Sequence, residues 1–350
     1  MQISELDTPA PVIDLDKVEA NIKALQNYAD SHNIVLRPHI KTHKLPLLAH
    51  KQLATGAKGI TCQKISEAMV MAESGIQDIL LSYNIVGKQK IKPLTNLACL
   101  SDLKVGLDNE VALATVAEAA TLADKRIGVV LEFESGNERQ GLREVSSCLA
   151  LAQKVQSHAK LYFAGLMTYP LGQYTDAWLN EAKSAFAKAG MDIPNISAGG
   201  TPAMYKAHEH PDITELRAGT YIYHDRATVN AGVATWQNCA LHLHVTVVSH
   251  PHPDRVIIDA GSKSLSSDLI SSGKGYGQLV GYEEAVIYRL NEEHGLVDIS
   301  ACTRKPKIGD RLEVIPNHVC VVSNLHDEVV LQRQGKVEAI VPVLARGKTR

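Results

Sequence analysis

Ile34-Val35-Leu36-Arg37-Pro38-His39-Ile40-Lys41-Thr42-His43-Lys44 is the stretch whose reading decides the fold: a short apolar run breaks into a dense cluster of cations and imidazoles. Proline fixes its own φ and keeps the residue before it out of the helical region, so Arg37 is expected to be extended where the strand ends at Pro38. Arg37, His39, Lys41, His43 and Lys44 can each bind an anion or move a proton. A solvated loop carries such side chains too. At the C-terminal end of a strand in a parallel barrel, however, they would stand where the catalytic residues of that fold stand.

The flanking sequence supplies the rhythm that such a barrel needs. Upstream, residues 11–15 read as a strand, and Asp16 with Glu19 forms a capping-box signature for a helix carrying Val18, Ile22 and Leu25. Downstream, a helix with Leu47, Leu48 and Leu53 ends at Gly56, and residues 66–73 form a helix stopped at Gly75. Residues 59–62, 79–82, 103–107, 127–133, 161–167, 193–197 and 214–216 read as strands, with Asp108 as the N-cap of the helix bearing Val111, Leu113 and Val116. Counting from Ile34, this makes about eight β segments, the number of a (β/α)8 TIM barrel. A doubly wound open sheet alternates in the same way, but the strand ends here are polar or glycine-rich throughout, which implies one polar rim.

From about Trp236 the period changes to two: Leu241, Leu243, Val245 and Val247 face one way, His242, His244 and Thr246 the other. The expected fold class is therefore α/β, a barrel over residues 12–235 followed by a C-terminal all-β domain over 236–350, with residues 1–11 packing on the latter. A formal net charge of -2 and the lack of a basic stripe argue against nucleic acid and anionic membrane as partners. The N-terminus has neither a positive n-region nor an apolar h-region, and the six cysteines make no C-x-x-C pair, so a cytoplasmic protein with reduced thiols is expected.

Four further segments carry chemistry. Gly199-Gly200-Thr201-Pro202 and Arg217-Ala218-Gly219-Thr220-Tyr221 follow the last two barrel strands, where glycines let backbone amides approach a phosphate, although a Gly-Gly-x-Pro run is also a common turn. Arg139, in the glycine-flanked segment 132–141, can bind a phenolate-type oxygen or a carboxylate, or else pair with Glu134 or Glu138. In Pro316-Asn317-His318-Val319-Cys320 an extended chain would put His318 and Cys320 on one side, able to grip a metal ion and leave its other positions open; a packed thiol beside an ordinary histidine is the plainer alternative. His242-x-His244 has the same spacing but reads as polar or partly buried histidines.

Together with Asp259-Ala260-Gly261-Ser262-Lys263, these motifs in this order resemble the D-threonine aldolase and eukaryotic-type D-serine dehydratase family, fold-type III pyridoxal-phosphate enzymes with an alanine-racemase-like barrel. The resemblance covers most of the chain. It implies that Lys41 forms the Schiff base with pyridoxal 5'-phosphate, that Arg139 meets the phenolic oxygen, and that Gly199, Gly200, Thr201, Gly219, Thr220 and Tyr221 hold the phosphate. Tyr169 would lie near the ring or substrate, and His318 and Cys320 would bind a divalent metal. Arg37, His39 and His43 would be the neighbours that lower the Lys41 pKa, with His39 and Tyr169 completing the catalytic set.

Aldolases of the family resemble H-x-D at the metal pair and dehydratases H-x-C, and this chain has H-x-C. Thiolate and imidazole favour zinc over manganese or magnesium. The expected reaction is elimination from a D-3-hydroxy amino acid, D-serine or D-threo-3-hydroxyaspartate, to keto acid and ammonia. Retro-aldol cleavage to glycine and aldehyde is the alternative, and a racemase or a non-catalytic cofactor carrier the alternatives of another class. One departure stands out: Met167 occupies a position where family members tend to carry glutamine. The resemblance also implies a homodimer.

Overall fold

A computed structural model describes residues 1–271 and 273–350. In chain order its elements are β1 (Ala10–Asp14), α1 (Leu15–Ser31), β2 (Val35–Leu36), α2 (Pro46–Thr55), β3 (Ile60–Cys62), α3 (Ile65–Glu73), β4 (Asp78–Leu81), α4 (Lys88–Leu100), β5 (Asp102–Leu107), α5 (Glu110–Ala123), β6 (Ile127–Glu132), α6 (Val145–Ser157), β7 (Leu161–Thr168), α7 (Thr175–Lys188), β8 (Ile196–Gly199) and β9 (Glu215–Arg217). There follow α8 (Arg226–Asn230), β10 (Leu241–His252), β11 (Arg255–Ile258), α9 (Ser262–Leu265), β12 (Gln278–Leu279), β13 (Val286–Leu290), β14 (Gly295–Asp298), β15 (Arg311–Ile315), α10 (Val319–Leu325), β16 (Glu328–Arg333) and β17 (Lys336–Pro342). No helix among the described residues is long and apolar enough to cross a membrane.

The chain divides into two compact units, one of which comprises Ala24–Lys41, Pro46–Gly219 and Lys348–Arg350. Its sheet is parallel with order β2-β9-β8-β7-β6-β5-β4-β3. The two end strands meet through a parallel bridge between His39 and Thr61, and Thr61 N donates to Pro38 O at 2.8 Å, so the sheet closes as a barrel. Every residue of β6 is buried, as expected of a strand packed on both faces. β2 itself is only two residues long, but the chain stays extended beyond it: Arg37 N donates to Leu216 O and His39 N to Ala218 O, both at 2.9 Å. That carries the edge of the barrel to the start of the basic cluster.

Two caps differ from the sequence reading. Asp14, not Asp16, caps α1, its Oδ1 accepting from Asp16 N at 3.0 Å and Lys17 N at 3.2 Å; Asp16 and Glu19 pair instead with Arg333. Asn109 rather than Asp108 caps α5, because Asp108 Oδ2 is engaged by Gly141 N at 2.8 Å.

The second unit comprises Met1–Lys23, Thr42–Leu45 and Thr220–Gly347. Its sheet runs β13-β14-β11-β10-β1-β16-β17, with β15 pairing β10 and β12. Leu241, Leu243, Val245 and Val247 are fully buried on one face of β10, three of them in a core with Val256, Ile258, Ile287 and Val297. β1, from the start of the chain, lies between β10 and β16. Asp259 ties down the segment before it, accepting from Thr8 Oγ1 at 2.5 Å and from Thr246 N at 2.8 Å.

Candidate functional site

The strand ends of the barrel unit hold most of the expected cofactor residues. Lys41 sits in a short 3-10 turn, Ile40–Thr42, directly after the extended run. Its backbone N donates to His39 Nδ1 at 3.4 Å, which makes Nε2 the protonated nitrogen of His39; Nε2 in turn lies 3.0 Å from Gln63 Oε1. Arg37 is placed differently from the expectation that it lowers the Lys41 pKa as a nearby cation. It is 4 % exposed, with Nε on Glu215 Oε2 at 2.8 Å and NH1 on Asp78 Oδ1 at 2.6 Å. Burial opposes its charge, yet Glu215 and Asp78 outweigh that and raise its pKa, so its charge is neutralised within the barrel.

Arg139 extends over the Tyr169 ring, its guanidinium carbon 4.6 Å from the ring centroid. Its nearest carboxylate is Glu132 Oε1 at 3.7 Å, while Glu134 instead accepts the backbone amides of Gly136 and Asn137. Burial pushes the Glu132 pKa up, against the pull of Arg217. At the end of β8, a Cβ built on Gly199 would lie 2.9 Å from Tyr169 Cδ2 and 3.2 Å from Arg217 NH2. Gly200 follows with φ 116°, a conformation suited to glycine, and leads into a 3-10 helix at Thr201–Glu209. The result is a close approach of backbone to an aromatic ring, followed by a helix start whose first amides lack intrahelical partners. Gly219, buried, ends the neighbouring strand exit.

The second unit holds the remaining candidates. The chain at 318–320 is not extended: His318 is the N-cap of α10 and Cys320 lies in its first turn. The two side chains nonetheless hydrogen-bond each other. His318 Nδ1 lies 3.1 Å from Asp225 Oδ2, and Cys320 Sγ lies 3.1 Å from Thr42 Oγ1 and 3.7 Å from Thr220 Oγ1. Burial opposes a charge on His318, but its bonds to Asp225 and Cys320 raise its pKa from 6.5 to about 11. A metal ion at Nε2 would replace that proton. No group of three or more His, Cys, Asp or Glu among the described residues is arranged to hold a metal, so this pair would leave open positions. Tyr221 is fully buried in the turn Thr220–Ile222. His242 is committed elsewhere, with Nδ1 2.6 Å from Glu313 Oε2 and Nε2 3.1 Å from Cys239 O.

Sequence reasoning did not single out Asp225, Thr42 or Glu132. Asp225 is fully buried, yet nothing in Tyr223-His224-Asp225 marks it out before the fold brings α10 beside it. Met167, where family members tend to carry glutamine, is 1 % exposed and packs against Leu80 and Val130 in a core cluster. It is a packing residue.

Known proteins resemble this chain over nearly its full length. Residues 13–227 match the alanine racemase N-terminal domain model, and residues 240–332 match a putative serine dehydratase domain model. D-threonine aldolase of Arthrobacter sp is 36% identical over 365 residues, covering 99% of this chain and 95% of that protein. The crystal structure of D-threonine aldolase from Filomicrobium marinum superposes with a TM-score of 0.91 at 29% identity, covering 100% of this chain and 98% of the other. D-threo-3-hydroxyaspartate dehydratase of Delftia sp. (strain HT23) is 30% identical over 348 residues, covering 90% and 91%. Solved structures of a D-threo-3-hydroxyaspartate dehydratase include a His-to-Ala mutant, with a TM-score of 0.88 at 27% identity over 98% and 96% of the two chains. A Cys-to-Ala mutant two positions further on, in the metal-free form, gives 0.85 at 26% identity over 98% and 99%. The chain therefore belongs to the family of pyridoxal-phosphate-dependent lyases that includes D-threonine aldolase and D-serine dehydratase, built on an alanine-racemase-like barrel.

Proposed function

We propose that this lyase is a dehydratase, converting a D-3-hydroxy amino acid such as D-serine or D-threo-3-hydroxyaspartate to its keto acid and ammonia. The observation that carries the reading is the imidazole–thiol pair of His318 and Cys320, hydrogen-bonded to each other and backed by Asp225. The same pair of residue types, two positions apart, was mutated in the dehydratase structures, and the cysteine mutant is metal-free. Both groups the reaction needs fit the residues present: Gly200, at φ 116°, opens the helix start at Thr201, whose first backbone amides lack intrahelical partners and suit a phosphate, and the donor set of imidazole and thiolate suits zinc.

Bound pyridoxal phosphate supplies an electron sink for negative charge at the substrate Cα, and a divalent metal polarises the β-hydroxyl. Lys41 would hold the cofactor and, as a neutral amine, take the proton from Cα. His39 orients the Lys41 turn through the Lys41 amide, its own proton being held toward Gln63. Arg139 binds the phenolic oxygen and braces Tyr169. Gly199, Gly200, Thr201, Gly219, Thr220 and Tyr221 bind phosphate oxygens, chiefly through backbone amides. His318 and Cys320 hold the metal. The Cα–H and Cβ–O bonds break, the hydroxyl leaves as water, and the released enamine hydrolyses to keto acid and ammonia.

Retro-aldol cleavage is the second reading, favoured by the 36% identity to D-threonine aldolase. There the β-hydroxyl loses its proton and the Cα–Cβ bond breaks, giving glycine and an aldehyde. To separate them, the protein is loaded with pyridoxal phosphate and zinc, manganese or magnesium, then given D-serine, D-threo-3-hydroxyaspartate or D-threonine while keto acid, ammonia, glycine and aldehyde are assayed together. Keto acid and ammonia in equal amounts, lost on chelation and restored by zinc, are expected. Glycine with aldehyde would establish the aldolase instead, and no product from any substrate would refute both. A homodimer is part of the same proposal, checked by light scattering.

A further inference from the structure

We infer that Asp225 is the positioning residue that prepares His318 to bind a metal ion, an inference that rests on the assignment of His318 and Cys320 as the ligands. Asp225 is fully buried, and its two carboxylate oxygens have separate tasks. Oδ1 accepts from Thr228 N at 2.9 Å and, with Thr228 Oγ1 accepting from Asp225 N at 2.9 Å, completes the capping box of α8. Capping needs only that one oxygen, and a neutral Ser, Thr or Asn caps about as well as an aspartate. Oδ2 is surplus to the cap and reaches a different part of the chain, accepting from His318 Nδ1 and from Val319 N, both at 3.1 Å.

A charged carboxylate buried completely is costly unless it is paired and hydrogen-bonded. Here its pairing is with the imidazole. An Nδ1–H bond to a carboxylate fixes the ring's tautomer and orientation and leaves the Nε2 lone pair to face a metal, while raising its basicity. The bond to Val319 N does a second job by setting where α10 begins, one residue before Cys320, so a single carboxylate governs the placement of both ligands. Neighbouring backbone bonds make this junction stiff: Arg226 N donates to Pro316 O at 3.1 Å and Ala227 N to Asn317 O at 3.2 Å. Arg226 NH1 also reaches Asn317 Oδ1 at 3.2 Å. The other ligand is supported separately, by the Thr42 and Thr220 hydroxyls beside Cys320 Sγ.

The test measures zinc affinity of the cofactor-loaded protein by competition with a chromogenic chelator. Asp225→Asn is expected to weaken zinc binding roughly 10- to 100-fold while the visible absorbance of bound pyridoxal phosphate is unchanged. Thr228→Ala, which breaks the capping box but leaves Oδ2 untouched, is expected to lower Tm with zinc affinity kept. Native zinc affinity in Asp225→Asn, or equal losses in both variants, would reduce Asp225 to a helix cap and overturn the inference. Should Asp225→Asn not fold, Asp225→Ser, which keeps a capping oxygen without the charge, is read in the same way. His318→Ala is the separate control: if it binds zinc as tightly as the native chain, the ligand assignment itself fails, whatever the Asp225 variants do.

Discussion

His224 shows how one buried side chain becomes a property of the whole protein. It is 4 % exposed, adopts a φ of 49°, and its Nδ1 has no hydrogen-bond partner. Burial lowers its pKa from 6.5 to about 4, despite the neighbouring Asp225 carboxylate. Between those values the unfolded chain takes up a proton that the folded chain refuses. Stability from this group is therefore complete above about pH 6.5 and falls as the pH drops toward 4, by about 3 kcal/mol in all. Urea midpoints measured from pH 7 to pH 4 should show the decline, and His224→Phe should flatten it; an unchanged slope in the variant would assign the decline elsewhere. Lys41 was legible as a candidate because its cationic cluster follows the apolar run at residues 34–36, Arg139 because it lies in a glycine-flanked segment after a strand, and His318 and Cys320 because of their spacing. Arg37 looked the same in the sequence. Its role in an ion pair with Glu215 depends on β9, which is 178 residues away.

Among the elements, α10 is the one that the sequence describes poorly. Val319-Cys320-Val321-Val322 is β-branched and apolar, a strand-like composition, yet it forms a helix with Val319 and Val322 buried. Asp225 accepts the first amide of that helix, and this long-range cap outweighs the local preference. β7 illustrates the converse, a strand legible from its periodicity whose unusual side chain only the packing explains. Met167 lies on it with Cε positioned where a Cβ on Gly106 would come within 2.3 Å, so the glycine of β5 and the methionine of β7 are a matched pair. Met167→Gln should place an amide without partners in that core and destabilise the protein by about 1–3 kcal/mol. Urea unfolding reads the cost, and a variant as stable as the native chain would mean that the cavity is more polar than its lining of Leu80 and Val130 implies.

At the scale of the molecule, the C-terminal sheet is not built from C-terminal sequence alone. β1 forms its antiparallel pairing with β10 and its parallel pairing with β16, and Thr8 is locked to Asp259. A fragment of residues 236–350 would expose the facing edges of both strands, so it should fail to fold; a cooperative thermal transition in that fragment would contradict this. The sequence by itself determined the alternation of buried strands and helices, the change of period near Trp236, and the residue types at the strand ends, because all of these follow from local periodicity and from the placement of glycine and proline. Only the tertiary structure decided which charges are spent on each other, as in Arg37 with Glu215, and which buried carboxylate meets which imidazole, as in Asp225 with His318. Such pairings join segments far apart in the chain, and the energy that makes one partner structural and another available comes from burial, which no local pattern records.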